Sequence, residues 1–196
     1  MNKLPKTDLH PVEKANALES QLRLILQNPE TILKRYIHPG MTVLDLGCGT
    51  GYFTVEIAKL LEKRGKVIAA DVQKGMLDIL IHKLGYSELQ NQIQIHNNQE
   101  STLNLTEKVD FILAFYAFHE MKYLDSIINE LPKILIPETK IFISEQRFHV
   151  SKYIFNTIVQ KMENIGFEIY KRPKIFLSRT VIMKIKSTNV QQRLAD

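Results

Sequence analysis

The chain contains one cysteine, Cys48, and has no apolar run near the roughly 20 residues that a membrane-spanning helix requires. A single cysteine cannot form an internal disulfide, and a zinc site built from several cysteines is excluded. Residues 1–8 lack the apolar core of a signal peptide. With a hydrophobic fraction of 44% and a charged fraction of 24% over 196 residues, these absences predict a globular, cytoplasmic protein of one domain.

Internal repeats, low-complexity tracts and Gly/Ser-rich linkers are absent too, but the charge is unevenly spread. From Lys133 onward there are 12 Lys and Arg against 5 Asp and Glu, whereas the first 132 residues carry 14 basic and 16 acidic side chains. The net charge of +5 therefore comes from the C-terminal third. This basic region can simply keep an exposed face soluble, or it can face an acidic substrate, a nucleic acid or a membrane surface.

Short apolar strands alternate with amphipathic helices along most of the chain. The predicted strands are 42–46, 66–71, 93–96, 109–115, 140–144, 167–170 and 175–186, and the predicted helices between them are 52–63, 73–84, 122–135 and 151–165. The last two strands lie too close in sequence for a parallel crossover, so they are predicted to be antiparallel. The pattern predicts an α/β fold with a seven-stranded, mostly parallel sheet, helices on both faces and one antiparallel strand near the edge.

The region before the first strand has a helical apolar pattern from Val12 to Ile37. Asn28, Pro29 and Glu30 interrupt this pattern as an N-cap followed by proline at the first helical position. Two helices are therefore expected before the sheet, where they could lie over a pocket. The predicted organisation is a helical segment or lid over 1–39, a main domain over 40–186 and a tail over 187–196.

A glycine-rich turn, DLGCGTG from Asp45 to Gly51, connects the first strand to the following helix. Glycines permit positive φ and a close approach of backbone to ligand. The turn also lies at the carboxyl end of a strand, where doubly wound sheets bind nucleotides. The dinucleotide fingerprint needs Gly or Ala where this chain has Tyr52, and the Gly-Lys-Ser/Thr of a phosphate-binding loop is missing. A carboxylate at Asp45 opposes a pyrophosphate but suits a ligand with ammonium and sulfonium groups, which favours S-adenosylmethionine (SAM) over NAD or ATP.

The segment VLDLGCGTGYFT from Val43 to Thr54 resembles motif I of class I SAM-dependent methyltransferases, and VIAAD from Val67 to Asp71 resembles the motif that follows it. The resemblance covers residues 40–185 and implies a Rossmann-like sheet. It also implies that Asp71 accepts hydrogen bonds from both ribose hydroxyls, with a nucleotide-binding relative as the alternative.

The adenine position of the resemblance is less regular. The family often places an acid after the third strand to hold the adenine amino group, and here Asn98 falls on that place. Its amide oxygen can accept from the amino group, and the backbone N–H of Gln99 can meet a ring nitrogen; a polar loop in a shifted register is the alternative. The implied cofactor-binding residues are Asp45, Gly47, Cys48, Gly49, Gly51, Asp71, Val72, Asn98, Gln99 and Phe115. Cys48 is otherwise a small residue in a tight loop or a reactive thiol.

The fourth strand ends in FYAFHEM, from Phe115 to Met121. This segment lacks the Asn/Asp-Pro-Pro-Tyr typical of enzymes that methylate amino groups of nucleic acids. Its His-Glu pair instead resembles the small-molecule branch that includes ubiquinone- and menaquinone-type methyltransferases. His119 is the first candidate for a general base, since imidazole titrates near neutral pH. Glu120 can orient it, bind a cationic substrate or face solvent.

The fifth strand ends at Glu145, four residues before His149, and both are candidates to face the substrate. Arg179 interrupts an apolar strand and needs a partner, for which Glu145 is the candidate. Ser151 can equally cap the next helix, which would make the HVS segment a structural boundary. The family usually carries Leu-Lys-Pro-Gly-Gly before this strand, whereas this chain has LIPET from Leu135 to Thr139, so the turn geometry must differ.

The sequence therefore predicts a SAM-dependent methyltransferase that acts on a small-molecule acceptor by in-line displacement and releases S-adenosylhomocysteine. The predicted catalytic residues are His119, Glu120, Glu145 and His149. No metal is predicted, although these four side chains could converge on one. The single cysteine argues against arsenite methylation, which uses several cysteines. Two alternatives are an RNA methyltransferase that uses the basic C-terminal third and a SAM-binding protein without catalysis.

Overall fold

The computed structural model describes residues 27–186, which form one seven-stranded sheet with helices on both faces. The strands are β1 (Thr42–Leu46), β2 (Lys66–Asp71), β3 (Ile93–Asn97), β4 (Val109–Phe115), β5 (Leu135–Gln146), β6 (Phe167–Lys171) and β7 (Ser178–Ile185). The helices are α1 (Pro29–Leu33), α2 (Tyr52–Leu60), α3 (Lys74–Leu84), α4 (Leu124–Glu130) and α5 (Lys152–Asn164). Short 3-10 turns cover Glu88–Gln92, Phe118–Glu120 and Leu131–Lys133.

The strand order is β3-β2-β1-β4-β5-β7-β6. Strands β1 to β5 are parallel, and β7 is antiparallel to both β5 and β6. This confirms the predicted fold class and the reversed strand near the edge. The order reverses direction between β1 and β4, which opens a crevice at the carboxyl ends of these strands, where open α/β sheets bind their ligands.

Two apolar cores cover the two faces of the sheet, because consecutive strand residues point to opposite sides. Val43 packs with α1, α2 and α3 on one face, and Leu44 packs with α4 and α5 on the other. All of β4 except Asp110 is buried, as expected for a strand at the centre of a sheet covered on both faces.

The amino ends of α1 and α5 are capped by the residues that the sequence predicts. The side chain of Asn28 accepts a hydrogen bond from Thr31 N–H at 3.0 Å, and Pro29 occupies the first position of α1. Ser151 caps α5 by accepting from Ile154 N–H at 3.2 Å. The first of the two predicted N-terminal helices lies outside the described residues. No helix within residues 27–186 is long and apolar enough to cross a membrane.

The region between β4 and β5 differs from the prediction. The predicted helix 122–135 is shorter, since α4 ends at Glu130 and a 3-10 turn containing Pro132 follows. Strand β5 begins at Leu135 instead of residue 140, and its pairing with β4 contains a bulge between Val109 and Phe111. The Thr139 hydroxyl donates to Val109 O at 2.6 Å and accepts from Ile136 N–H at 2.9 Å. A threonine side chain thus fixes the turn that lacks the family's glycines.

Candidate active site

A cavity of about 480 Å³ opens at the carboxyl ends of β1, β2, β4 and β5. This volume is within the range of small-molecule sites. The cavity is lined by the glycine turn, by the segments that follow β2 and β3, by the loop after β4, and by Gln146 and His149 after β5. Most of the residues predicted to bind a cofactor or substrate therefore meet at one site.

The glycine turn needs glycine for two different reasons. Gly47 has φ +76°, and an added Cβ would lie 2.5 Å from Ala117 Cβ, because the turn packs closely against the loop after β4. Gly49 has φ +55°, and an added Cβ would meet no atom within 4 Å. Because Gly49 lines the cavity, this open side leaves room for a ligand against the backbone. Gly51 does not line the cavity but precedes α2 in the left-handed conformation.

Asp45 is a buried acid in the cavity wall, with 3% of its surface exposed. The Thr54 hydroxyl donates to its Oδ2 at 2.6 Å. Burial raises the pKa of Asp45 to about 7, the Thr54 hydrogen bond opposes this rise, and the nearby Asp71 charge adds to it. A cationic ligand group would stabilise the ionised form, so this acid suits a positively charged ligand.

Asp71 ends β2 and shapes the cavity through backbone hydrogen bonds. Its Oδ2 accepts from Gly49 N–H at 2.9 Å, and its Oδ1 accepts from Gln73 N–H at 2.8 Å. Each carboxylate oxygen has two lone-pair sites, so both retain the capacity to accept from a hydroxyl. Burial raises the pKa of Asp71, while these two backbone donors lower it. Val72 lines the cavity directly after it.

Asn98 carries a buried polar atom that accepts no hydrogen bond within residues 27–186. Its Nδ2 donates to Gln99 O at 3.0 Å, whereas its Oδ1 is buried and has no hydrogen-bond partner within the described part of the chain. Such atoms are rare in folded proteins because an unsatisfied buried acceptor costs about 1–3 kcal/mol. Because Asn98 lines the cavity, a ligand amino group is the partner that would satisfy it.

Gln99 differs from its predicted role. Its backbone N–H, expected to meet an adenine nitrogen, donates instead to Thr102 O at 3.1 Å in an isolated antiparallel bridge. Gln99 also does not line the cavity. The register after β3 therefore brings Asn98 to the site and turns Gln99 away from it.

Cys48 and Phe115 are buried parts of the cavity wall. Burial raises the pKa of the Cys48 thiol well above its usual value, and the charges of Asp45 and Asp71 act in the same direction. The thiol therefore stays protonated, which opposes the reactive-thiol interpretation. Phe115 packs on Phe53 with ring centroids 4.3 Å apart and forms an aromatic wall.

His119 and Glu145 form a hydrogen-bonded pair beside the cavity. Glu145 Oε2 accepts from His119 Nδ1 at 2.6 Å, and Glu145 Oε1 accepts from His119 N–H at 3.2 Å. Glu145 is fully buried and lies behind His119, which itself lines the cavity. Burial lowers the pKa of His119, but the hydrogen bond and charge of Glu145 and the charge of Glu120 outweigh it, so the pKa is raised. Glu145 thus engages Nδ1, and Nε2 is the ring nitrogen that does not bond to Glu145.

Glu120 and His149 complete the predicted catalytic set. Glu120 Oε1 lies 3.7 Å from His119 Nε2, and the His149 ring is edge-on to His119 with centroids 4.9 Å apart. Both residues line the cavity, whereas Glu145 contributes only through His119. Among residues 27–186, no group of three or more His, Cys, Asp or Glu side chains is placed to hold a metal ion.

The predicted pairing of Glu145 with Arg179 is wrong. The two residues are opposite each other in the β5–β7 register, but both carboxylate oxygens of Glu145 accept from His119. The guanidinium of Arg179 instead donates to Arg147 O at 3.0 Å. The fully buried carboxylate is thus paired on the cavity side, and the arginine reaches outward to a loop.

Most of the chain matches one protein family. Residues 37–195 match a family model described as a methyltransferase domain. The chain belongs to this methyltransferase-domain family. The resemblance to class I SAM-dependent methyltransferases inferred from the sequence motifs is thereby confirmed, and the methyltransferase domain contains every predicted site residue.

Relatives of this methyltransferase domain agree with that assignment. Demethylmenaquinone methyltransferase of Lactobacillus johnsonii is 28% identical over 153 residues, which cover 74% of this chain and 63% of the relative. The chain thus spans less than two thirds of that relative's length. A crystal structure of a SAM-dependent methyltransferase from Aquifex aeolicus has a TM-score of 0.82 and 25% identity, over 91% of this chain and 100% of that one.

A further solved structure shares the fold. Magnesium protoporphyrin IX methyltransferase from Synechocystis PCC 6803, solved with bound SAM, has a TM-score of 0.61 and 16% identity over 91% of this chain and 86% of that chain. In the methyltransferase domain described here, the residues fit SAM: Asp45 suits a cation, Gly49 leaves room for a ligand, and Asn98 offers an unpaired acceptor.

A hydrogen-bonded group that the sequence did not predict joins Gln27, before the first described helix, to the cavity. Gln27 Nε2 donates to Tyr116 Oη and, at 3.0 Å, to Phe176 O. Tyr52 Oη donates to Gln27 O at 3.2 Å, and Tyr116 Oη is 2.6 Å from Ser178 Oγ. Tyr52 and Tyr116 both line the cavity. Tyr116 directly follows β4, so its place in the chain was the one available signal.

Proposed function

We propose that this chain binds SAM in the cavity and transfers its methyl group to a small-molecule acceptor whose attacking atom loses a proton to His119. When bound, SAM supplies a methyl group already activated on a sulfonium, so that an in-line displacement needs no further activation of the donor. The protein then has to position the acceptor and remove its proton.

The observation that carries this proposal is the His119–Glu145 pair at the cavity wall. A carboxylate that accepts from Nδ1–H fixes the tautomer in which Nε2 has a free lone pair, and it stabilises the imidazolium that forms on protonation. Glu120, 3.7 Å from Nε2, stabilises the same charge. A histidine held only for packing would not need a fully buried carboxylate behind it.

The acceptor that we propose is a hydroxylated aromatic ring such as a quinol or phenol. Phe53, Phe115 and Tyr116 give the cavity an aromatic wall, and Met121 adds an apolar contact. A ring hydroxyl loses its proton more readily than an aliphatic one, which suits an imidazole base whose pKa is raised. The name of the Lactobacillus johnsonii relative, which refers to demethylmenaquinone, supports the same acceptor class.

The test is a methyl-transfer screen that measures S-adenosylhomocysteine with quinol, phenol, thiol, amine and RNA acceptors. We expect turnover with a ring hydroxyl acceptor, and we expect His119→Gln to lower kcat by about 100-fold or more while SAM binding persists. His38→Gln, an exposed histidine between α1 and β1, is the matched control and should retain full activity.

Other outcomes of this screen would contradict the proposal. Turnover with RNA alone would favour an RNA methyltransferase. Tight SAM binding without turnover on any acceptor would favour a SAM-binding protein. Full activity of His119→Gln would show that His119 is not the base.

A further inference from the structure

Two segments beside the cavity mouth, each a loop with the ends of the elements that flank it, are basic and contain no acid. The segments 146–153 and 171–180 carry six Lys and Arg and no Asp or Glu. The basic residues are Arg147, Lys152, Lys171, Arg172, Lys174 and Arg179. We call these two segments the basic rim. The rim contains much of the positive charge of the C-terminal third, for which the proposed reaction has no use.

Hydrogen bonds join the two segments of the basic rim at Arg147. The backbone N–H of Arg147 donates to Leu177 O at 2.9 Å, and Arg179 Nη1 donates to Arg147 O at 3.0 Å. The rim also borders the cavity, because Gln146 and His149 line it and Ser178 hydrogen-bonds to Tyr116.

The basic rim also exposes large apolar side chains. Phe148 is 88% exposed, Tyr153 71%, Phe176 52% and Leu177 41%. These are four of the nine exposed large hydrophobic side chains found within residues 27–186. Exposed apolar groups that cluster beside one sign of charge indicate a binding surface, whereas isolated ones do not.

We propose that the basic rim docks this protein onto an anionic phospholipid membrane surface. Phenylalanine and leucine gain free energy by entering the boundary between headgroups and acyl chains, and lysine and arginine are attracted to anionic headgroups. The two phenylalanines and the leucine have no hydrogen-bonding groups with which to read a nucleic acid, and leucine offers no flat face for base stacking. The absence of acids along the rim complements a negative surface.

This docking is independent of the proposed reaction, and its test requires no turnover. The full chain is co-sedimented with phosphatidylcholine vesicles that contain about one third phosphatidylglycerol, and with pure phosphatidylcholine vesicles. We expect binding to the anionic vesicles only. We also expect it to weaken as salt is raised from about 0.1 M towards 1 M, because the Debye length falls from about 10 Å to about 3 Å.

Two double variants separate charge from apolar insertion. Arg172→Glu with Lys174→Glu should lower vesicle binding by about ten-fold or more, since each lost cation weakens attraction to the surface. Phe148→Ser with Phe176→Ser should lower it by a similar factor, since two buried apolar side chains are lost. All four side chains are exposed, so the fold and SAM binding should be unaffected.

Matched controls come from the other parts of the surface. Lys108→Glu with Lys133→Glu changes two exposed lysines at the amino ends of β4 and β5, and Ile81→Ser with Tyr86→Ser changes two exposed apolar residues at the end of α3. Both controls should bind vesicles like the parent. The proposal is overturned by equal binding to neutral vesicles, by controls that weaken binding as much as the rim variants, or by RNA binding at the rim without vesicle binding.

Discussion

Asp45 is buried in the cavity wall and accepts a hydrogen bond from the Thr54 hydroxyl. Burial raises its pKa from 3.8 to about 7, so the native state holds a proton that the unfolded chain releases. Stability contributed by this proton is complete below the unfolded pKa and is lost as the pH rises through about 7.

Asp45→Asn should therefore stabilise the ligand-free protein increasingly as the pH rises. We expect the variant to gain little near pH 4 and up to about 4 kcal/mol near pH 8. Urea unfolding across this pH range measures the difference, and Asp78→Asn, an exposed acid on α3, is the matched control. The variant should at the same time bind SAM more weakly. A gain that is the same at every pH would show that Asp45 ionises normally.

Glu145→Gln tests whether the carboxylate acts through His119. The amide oxygen can still accept from Nδ1–H, but the charge that raises the pKa of His119 is gone, and burial, which lowers it, remains. Activity that requires neutral His119 rises with pH through this pKa. We therefore expect the rising limb of kcat to move to lower pH and its plateau to fall about ten-fold or more.

Glu120→Gln supplies the comparison for this pH profile. Glu120 raises the pKa of His119 by its charge alone, from 3.7 Å, so its removal should move the limb in the same direction by a smaller amount. A merely structural role for Glu145 would lower activity at every pH without moving the limb. An unchanged limb in both variants would therefore contradict the assignment of His119 as the base.

The secondary structure elements show what the sequence could predict. The bounds of β1, β2 and β4 were predicted correctly, because continuous apolar runs between polar and glycine-rich turns are typical of buried parallel strands. The start of β5 was not predicted correctly. The pairing of Leu135 and the bulge depend on the Thr139 hydroxyl, and hydrophobic periodicity does not reveal such a hydrogen bond. Contacts such as Gln27 to Tyr116 join residues 89 positions apart and have no local signal.

Thr139→Val tests the two hydrogen bonds of the Thr139 hydroxyl, which lie where the family usually has a glycine turn. The substitution keeps the shape of the side chain but removes the hydrogen bonds to Val109 O and from Ile136 N–H at a site with 1% exposure. We expect a loss of about 2–3 kcal/mol in the free energy of unfolding. Thr157→Val, on the half-buried face of α5, should cost about 1 kcal/mol or less.

The same variant distinguishes an effect on stability from an effect on SAM binding and turnover. Thr139 lies near the amino end of β4, away from the cavity at the carboxyl ends. SAM affinity and turnover of folded Thr139→Val should therefore match those of the parent at a temperature where both are folded. A loss of SAM affinity without a loss of stability would show that the bulge positions the cavity.

In the molecule as a whole, the buried polar groups that cost folding free energy lie together at the carboxyl ends of the parallel strands. Two buried acids, Asp45 and Asp71, and the unpaired oxygen of Asn98 lie on the wall of one cavity, while both apolar cores are continuous. A ligand that satisfies these groups should raise the stability of the entire domain. At about 100 times its Kd, a ligand adds about 2.7 kcal/mol, which for a domain of this size raises Tm by about 5–10 °C.

This stabilisation should depend on pH, because an ammonium group pairs with Asp45 only when the acid is ionised. With the pKa of Asp45 at about 7, each pH unit below that value should lower the affinity about ten-fold. S-adenosylhomocysteine at a fixed concentration should therefore raise Tm more near pH 7.5 than near pH 5.5. Methylthioadenosine keeps the ribose and adenine but lacks the amino acid group, so its effect should be independent of this titration. Equal pH dependence for the two nucleosides would mean that Asp45 does not contact the charged end of the ligand.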